Sequence, residues 1–247
     1  MTDAELASHL AEAAGRILMI VRDAGIFSPD ALGEAGDLIA NQFLVSALRE
    51  RRPDDGLLSE ESRCDGKRLD MARVWIIDPV DGTREYGEGR SDWAVHVALA
   101  IDGVAAIGAV ALPALGLVLR SDQPRELPPA RPPLRMVVSR TRPAAESIAV
   151  AKQLDAELVP MGSAGAKAMA IVLGDADIYL HTGGQYEWDS CAPVAVATAC
   201  DLHCSRIDGS PLRYNRGDVY LPDMLICRPE LGERVLSLIR DLGFAMP

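Results

Sequence analysis

Apolar residues recur every three to four positions in the first fifty residues of the chain, which is the spacing of amphipathic helices. One set ends at Val21 and a second ends at Leu48, shortly before Pro53. The two sets are Leu6, Leu10, Ala13, Ala14, Ile17, Leu18 and Val21, followed by Leu38, Ile39, Phe43, Leu44, Ala47 and Leu48. The pattern predicts that two helices open the protein.

Short apolar runs replace the helical periodicity from residue 56 onward and are typical of β-strands. They cover residues 56–59, 74–77, 93–100, 104–112 and 117–120. Asp102-Gly103 separates two of these runs and predicts a tight hairpin turn. We therefore expect a sheet that packs against the helix pair.

Five prolines between Gln123 and Pro133 mark a boundary, because proline lacks an N–H donor and has a fixed φ. Beyond them, strand-like and helix-like segments alternate, which is typical of an α/β arrangement. A last helix is predicted after Pro229. The sequence thus predicts an α+β fold with an N-terminal half over 1–122, a linker over 123–134 and a C-terminal half over 135–247.

The charge balance argues against nucleic-acid polymers as partners. Lys plus Arg number 25 against 36 for Asp plus Glu, and the net charge of −11 repels polyanions. The longest uncharged stretch, residues 103–119, is broken by Pro113 and is too short to span a membrane. We expect neither nucleic acid nor a membrane as a partner.

The cysteines and the start of the chain predict a cytoplasmic protein. The five cysteines, an odd number at irregular spacing, fit reduced thiols. They are Cys64, Cys191, Cys200, Cys204 and Cys227. The first residues are acidic, whereas a secretory signal needs basic residues and an apolar block.

One predicted strand ends in two carboxylates, in the segment from Trp75 to Thr83. A turn at Pro79 could bring Asp78, Asp81 and the Val80 carbonyl around one point, and hard divalent cations prefer such oxygen ligands. Backbone N–H groups of Gly82 and Thr83 could cradle a phosphate. The alternative is an acidic hairpin turn, since Asp-Gly is a common turn pair.

Further acids lie at the ends of predicted elements. Glu60 and Glu61 follow a strand, Asp189 begins a helix, and Asp37 lies in the first turns of the second helix. Each has an ordinary explanation as a solvated loop, a helix cap or a charge favoured by the helix dipole. Taken together, so many acids at element ends indicate one site.

These acids carry a family resemblance. Glu60-Glu61, Asp-Pro-Val-Asp-Gly-Thr at 78–83 and Trp-Asp-Ser-Cys-Ala-Pro at 188–193 resemble the signature of the lithium-sensitive, magnesium-dependent phosphatases. This superfamily includes inositol monophosphatase, fructose-1,6-bisphosphatase and the 3′(2′),5′-bisphosphate nucleotidases. The match spans nearly the whole chain and implies a layered αβαβα sandwich.

Three segments of the second half resemble the nucleotidase branch, and in particular its bacterial CysQ-type members. They are Gly-Ser-Ala-Gly-Ala-Lys at 162–167, Ser-Arg-Thr-Arg at 139–142 and Gly-Ser-Pro-Leu-Arg-Tyr at 209–214. The implied reaction is hydrolysis of the 3′-phosphate of adenosine 3′,5′-bisphosphate to AMP, inhibited by Li⁺ and serving sulfur assimilation.

Carried over residue by residue, the resemblance implies that two or three Mg²⁺ ions are bound. The implied metal ligands are Glu60, Asp78, the Val80 carbonyl, Asp81 and Asp189. The implied catalytic residues are Asp37, Thr83 and Glu60, of which Thr83 and Asp37 handle the attacking water. The implied substrate contacts are Asp81, Gly82, Thr83, Thr141, Arg142, Ser163, Lys167 and Asp189.

Other residues leave alternatives open. Arg140 and Arg142, at a predicted helix start, suit a phosphate or an adenine as well as simple solvation. Trp93, Trp188 and Tyr179 could stack on a base, but large aromatics beside strands are more often core residues, so the adenine contact is not assigned. His96 lies in a predicted strand without an evident partner, and we interpret it as structural.

The segment around Asp37 departs from the family pattern. The family shows Val-Thr-x-Ala-Asp after a Lys, whereas this chain has Gly33-Glu34-Ala35-Gly36-Asp37, and only the Asp matches. Matching Ala40-Asn41 instead would remove the carboxylate, so we prefer Asp37. Glu34 is an alternative activating residue.

Two other functions stay open. The same fold could act on inositol phosphate or fructose bisphosphate, or the chain could be a non-catalytic regulator that binds metal or nucleotide. In each case the ligand is a small phosphorylated nucleotide or sugar. The quaternary state is also open, and a homodimer is one alternative.

Overall fold

The computed structural model describes residues 1–61 and 66–244, and Cys64 lies outside these ranges. The α-helices are α1 Asp3–Asp23, α2 Pro29–Arg51, α3 Thr83–Gly87, α4 Ala145–Leu154, α5 Ala164–Leu173, α6 Glu187–Ala199 and α7 Gly232–Asp241. The strands are β1 Gly56–Ser59, β2 Arg73–Asp81, β3 Ala94–Ile101, β4 Val104–Leu112, β5 Leu117–Arg120, β6 Arg135–Ser139, β7 Glu157–Met161, β8 Ile178–His181, β9 Gln185–Tyr186, β10 His203–Ser205, β11 Tyr220–Leu221 and β12 Met224–Cys227.

The predicted helix pair forms the first layer. Thr2 caps α1 in a capping box with Glu5, each side chain accepting a backbone N–H of the other residue. Pro29 is the first residue of α2, where its missing N–H costs nothing. The apolar faces of α1 and α2 pack on one face of the first sheet around Leu18, Leu44 and other buried residues.

The first sheet has the strand order β1-β2-β3-β4-β5. β1 and β2 are parallel, and the remaining neighbours are antiparallel. Asp102 and Gly103 have φ of 50° and 75° in the β3–β4 turn, which are the left-handed values that a two-residue hairpin requires. The predicted hairpin is confirmed.

Helices α5 and α6 form the middle layer between the two sheets. Their apolar residues join the inner faces of both sheets in one core, which contains Val110 of β4 and Tyr179 of β8. A Cβ atom at Gly108 would lie 2.5 Å from the Ala192 carbonyl oxygen, so glycine allows α6 to lie directly on β4.

The second sheet has the strand order β10-β12-β8-β6-β7. Its residues alternate between two cores: Val137 faces the middle layer, and Met136 and Val138 face α4 and α7. Helices α4 and α7 therefore form the fifth layer. The arrangement confirms the α+β fold with layers in the order αβαβα.

The predicted linker, residues 123–134, contains no helix or strand. Arg228 fixes it to the second sheet, because its guanidinium donates to the Pro128 carbonyl and to buried Asp177. Since α5 and α6 share a core with the first sheet, the division into two halves stays a prediction. Within the described part of the chain, each helix is too short or too polar to cross a membrane.

Candidate metal and phosphate site

Three carboxylates from distant parts of the chain meet at one point. Asp78 and Asp81 lie at the end of β2, where the pairing with β3 is shifted by a bulge. Asp189 lies in the first turn of α6. Among the described residues, each of these three offers an oxygen within 4.8 Å of the other two. They could hold a metal ion, as the sequence predicted for these residues.

The N-terminus of α5 holds the Asp81 carboxylate. Its Oδ2 accepts hydrogen bonds from the Ser163 hydroxyl and the Gly165 N–H, both at 2.5 Å, and Oδ1 accepts from the Ala164 N–H at 3.0 Å. A Cβ atom at Gly165 would lie 2.0 Å from His96 Nε2, so only glycine permits this approach. The glycine-rich segment therefore positions Asp81.

His96 completes the surroundings of Asp81. It is fully buried, with Nδ1 3.0 Å from the Trp188 carbonyl oxygen and Nε2 3.2 Å from Asp81 Oδ2, out of line for a hydrogen bond. Burial disfavours a charged imidazole, but the Asp81 carboxylate outweighs it and raises the pKa of His96. The sequence missed this partner, because the contact joins β3 to the ends of β2 and α6.

Opposite pKa shifts distinguish the acids of the cluster. Burial and the Asp81 charge together raise the pKa of Asp78 well above its usual value and that of Asp189 to about 6. Burial also acts on Asp81, yet the His96 charge and the hydrogen bonds from Ser163 and Gly165 lower its pKa to about 2. Asp81 is thus the carboxylate that stays ionised, whereas Asp78 and Asp189 hold their protons more tightly.

Glu60 follows β1 and lies outside the three-carboxylate group. Its side chain reaches the surface, but loss of hydration among its neighbours and the charges of Asp189, Asp37, Glu61 and Asp81 raise its pKa to about 8. Glu60 therefore interacts with the cluster through charge repulsion. Its role as a ligand, like that of the Val80 carbonyl, stays a prediction.

Thr83 and Asp37 form a hydrogen-bonded pair beside the cluster. Thr83 Oγ1 lies 3.0 Å from Asp37 Oδ2 and 3.1 Å from the Val80 carbonyl oxygen, so its proton can go to either. Asp37 Oδ1 is buried and has no hydrogen-bond partner among residues 1–61 and 66–244. Burial raises the pKa of Asp37 to about 7.

Two glycines account for the departure of segment 33–37 from the family pattern, because they allow close helix packing. A Cβ atom at Gly33 would lie 2.7 Å from Thr83 Cγ2, and one at Gly36 would lie 2.6 Å from Tyr86 Cε1. Helix α2 can therefore pack directly on α3, which brings Asp37 to Thr83. Asn41, the alternative match, instead accepts a hydrogen bond from Ser59.

A polar pocket of about 240 Å³ adjoins the cluster. It is lined by Gly82, Thr83, Arg84, Glu85, Ser139, Arg140, Thr141, Arg142, Met161, Gly162, Ser163 and Lys167. All the predicted substrate contacts except Asp81 and Asp189 line it, and those two lie in the adjoining cluster. Arg140 and Arg142 lie in the connection before α4, not in the helix where they were expected. Arg84 was not among the predicted substrate contacts, although this residue directly follows the Asp-Gly-Thr motif.

The cationic side chains of this pocket differ in whether their charge is already paired within the protein. Arg140 is paired with Glu85 and Glu88 at 2.7 and 2.9 Å. The buried Lys167 ammonium donates to the Gly162 and Ser163 carbonyl oxygens, which leaves one of its three protons for a ligand. Arg84 and Arg142 have no side-chain partner in the described part of the chain.

The aromatic residues divide between core and surface. Trp93 and Tyr179 are at most 1% exposed and belong to the hydrophobic cores, which confirms the prediction that large aromatics beside strands are core residues. Trp188 is only partly buried and packs at the edge of the core between the sheets. The two buried rings are therefore excluded as a stacking surface.

Comparison with known proteins gives a consistent result. A model of the Inositol monophosphatase family matches residues 7–127 and 132–243. The chain is 51% identical to a 3′-phosphoadenosine 5′-phosphate phosphatase of Mycobacterium leprae (strain TN), covering 98% of this chain and 95% of that protein. It is 28% identical to the 3′(2′),5′-bisphosphate nucleotidase CysQ of Escherichia coli (strain K12), with 86% and 94% covered.

A solved structure supports the same fold. CysQ from Bacteroides thetaiotaomicron, described as a bacterial member of the inositol monophosphatase family, superposes with a TM-score of 0.80 at 23% identity. The match covers 92% of this chain and 97% of that one. The layered arrangement described above is thus shared with an experimentally determined structure.

Proposed function

The chain belongs to the inositol monophosphatase family, and from this premise we propose that it is a Mg²⁺-dependent 3′-phosphoadenosine 5′-phosphate phosphatase. It hydrolyses the 3′-phosphate of adenosine 3′,5′-bisphosphate to AMP and phosphate. The observation that carries the proposal is the meeting of Asp78, Asp81 and Asp189 beside a pocket lined by cationic side chains.

The donor set fits hard divalent cations. It consists of carboxylate oxygens, and burial and mutual repulsion raise the pKa of Asp78 and Asp189; a cation at this point would relieve that repulsion. We assign two or three Mg²⁺ ions to Glu60, Asp78, the Val80 carbonyl, Asp81 and Asp189. Such ions lower the pKa of water and neutralise charge on phosphoryl oxygens.

Thr83 and Asp37 supply the proton acceptor. We assign the attacking water to the Thr83 hydroxyl: Thr83 Oγ1 accepts the proton of the water as it passes its own proton to Asp37 Oδ2, 3.0 Å away. With a pKa of about 7, Asp37 can accept a proton near neutral pH. No covalent intermediate with the protein is required.

The cationic pocket supports a substrate with a second phosphate. Arg84 and Arg142 are the arginines of the pocket whose charge is not used within the described residues, and guanidinium groups match phosphate oxygens well. In a protein with a net charge of −11, this locally basic wall favours a bisphosphate over inositol monophosphate. The 51% identical relative favours the nucleotide over fructose bisphosphate.

Phosphate release tests the proposal directly. We expect turnover of adenosine 3′,5′-bisphosphate with Mg²⁺, no turnover with excess chelator, and much slower turnover of inositol 1-phosphate and fructose 1,6-bisphosphate. A preference for either sugar would contradict the substrate assignment. Binding of metal without turnover of any substrate would favour the regulator.

Arginine variants test the second phosphate subsite. Arg84→Gln and Arg142→Gln should each raise KM for the nucleotide bisphosphate by about tenfold, the loss of one charged hydrogen bond, and leave inositol 1-phosphate hydrolysis unchanged. Arg240→Gln, an exposed arginine at the end of α7, is the matched control. Equal losses on both substrates would contradict this subsite.

A further inference from the structure

Three aromatic side chains form a cluster next to Asp189, which we call the aromatic platform: Tyr186, Trp188 and Tyr220. The Tyr186 and Trp188 rings are stacked, with centroids 4.9 Å apart and planes inclined by 14°. Tyr220 meets Tyr186 edge-on at 6.1 Å. Both geometries are favourable for aromatic pairs, so the rings hold one another in place.

The platform is unusually open to solvent. Tyr186 and Tyr220 are 46% and 45% exposed, whereas the three other tyrosines of the chain are at most 3% exposed. Trp188 covers one face of Tyr186, and the Tyr220 ring is inclined by 76° to the plane of Tyr186. Nearly half of the Tyr186 surface stays exposed beside this stack, so the platform offers aromatic surface to a flat ligand.

The platform is also tied to the carboxylate cluster. Tyr186 and Tyr220 are paired residues of β9 and β11, and a Cβ atom at Gly184 would lie 2.2 Å from Tyr220 Oη, so this ring packs closely over the backbone. The Tyr186 N–H donates to Asp189 Oδ2 at 2.6 Å. The rings thus have a fixed position relative to a predicted metal ligand.

We propose that the aromatic platform binds the purine base of the substrate, an inference that rests on the proposed function. Tyr186 and Asp189 are three positions apart in the chain, so their Cα atoms lie within about 10 Å, a span that a nucleoside can bridge. A 3′-phosphate at the cluster would then leave the base free to extend the Trp188–Tyr186 stack. Stacking tolerates either purine, because every base has a π-face.

Variants that remove the rings test the platform by a KM-against-kcat comparison. Tyr186→Leu and Tyr220→Leu keep an apolar side chain, and Tyr186→Phe keeps the ring as the matched control. The substrates are adenosine 3′,5′-bisphosphate and the base-free 1-O-methylribose 3,5-bisphosphate. We expect Tyr186→Leu to raise KM for the nucleotide about tenfold, with little change in kcat and none for the base-free substrate.

Fluorescence quenching is a second readout, which reports directly on stacking of the base against Tyr186. The fluorescence of 2-aminopurine riboside 5′-monophosphate should be quenched on binding to the wild type and to Tyr186→Phe, and much less by Tyr186→Leu at saturating ligand. Equal KM increases on both substrates would reveal a structural role and overturn the inference. An unchanged KM and unchanged quenching would place the base elsewhere and would also overturn it.

These outcomes are separate from failure of the proposed function. If the wild type hydrolyses neither substrate, the proposed phosphatase activity is wrong. The quenching of 2-aminopurine in the wild type and its loss in Tyr186→Leu would in that case still support the platform. Absence of quenching in the wild type would overturn it.

Discussion

Asp81 is held by residues from both the N-terminal and the C-terminal part of the chain. Its carboxylate belongs to β2, but its donors Ser163, Ala164 and Gly165 belong to the start of α5, and His96 belongs to β3. Four donors or charges on one carboxylate explain its low pKa. Asp81 is therefore ionised and oriented before any ligand arrives.

Substitution of Gly165 tests this orientation. Gly165→Ala places a Cβ 2.0 Å from His96 Nε2, which forces the helix start away from Asp81. We expect kcat/KM to fall at least about a hundredfold, since a displacement near 1 Å has costs of that order. Gly217→Ala is the control, because a Cβ at Gly217 meets nothing within 4 Å. Full activity of Gly165→Ala would contradict the account.

Asp37 and Glu34 provide a second comparison. Asp37→Asn removes the proton acceptor of Thr83, and we expect kcat to fall by about 10²–10⁴. Glu34→Gln changes an exposed acid one helical turn away and should keep near-normal kcat. Steady-state rates of both variants separate the two candidates. A fall in kcat for Glu34→Gln alone would assign the role to Glu34.

The acids were predictable from the sequence because each lies at the end of a strand or helix, where chain segments converge. His96 and Arg84 were not. The partner of His96 comes from other elements, so spacing along β3 carries no signal of it. Arg84 did carry a local signal, its place after Asp-Gly-Thr, but the pairing of Arg140 with Glu85 and Glu88, which distinguishes the arginines of the pocket, joins distant segments.

At the scale of elements, the contact between α2 and α3 determines the position of Asp37 relative to Thr83. Gly33 and Gly36 lie on the buried face of α2, against Thr83 and Tyr86. Tyr86 is anchored in turn, since its hydroxyl donates to the Leu18 carbonyl of α1. Three helices thus fix the position of Asp37 relative to Thr83.

Gly33→Ala tests this contact. The added Cβ would lie 2.7 Å from Thr83 Cγ2 and should push α2 from α3. Overpacking costs about 1–3 kcal/mol, which exceeds the gain of about 1 kcal/mol in helix propensity. We expect a lower Tm and a kcat reduced by about tenfold or more. Thermal unfolding and initial rates measure both, and an unchanged kcat with a raised Tm would refute the contact.

Most elements were predictable because their apolar periodicities are clear and their ends carry glycine or proline. The layer order was not visible in any single segment. It depends on close approaches such as that of Gly108 to Ala192, which join residues far apart in sequence. The same limit applies to Gly33 and Gly36, whose partners in α3 no local pattern reveals.

At the scale of the whole molecule, the acid cluster links stability to pH. The pKa values of Asp37, Glu60, Asp78 and Asp189 are raised in the folded protein, so between pH 4 and 8 the folded state binds more protons than the unfolded state. These four acids therefore contribute stability that is lost as pH rises through this window. Asp81 has the opposite shift, but it is already ionised above pH 4.

We expect the metal-free protein to be more stable at pH 5 than at pH 8. The pKa of Asp189 is about 6 in the folded protein, about one pH unit above pH 5, so Asp189 alone contributes about 1.4 kcal/mol to the difference. Thermal unfolding with chelator measures the slope, and saturating Mg²⁺ should flatten it. Asp78→Asn should also reduce the slope. A Tm that rises from pH 5 to pH 8 without metal would contradict the assigned pKa directions.

Calorimetric titration of Mg²⁺ into the wild type and Asp189→Asn tests the central claim most directly. Asp189 belongs to α6, whereas Asp78 and Asp81 belong to β2, so a shared ion requires the fold to bring them together. We predict saturable binding in the wild type and an affinity at least about tenfold weaker in Asp189→Asn, the loss of one charged ligand. Equal affinities in the two proteins, or no binding in the wild type, would contradict the account.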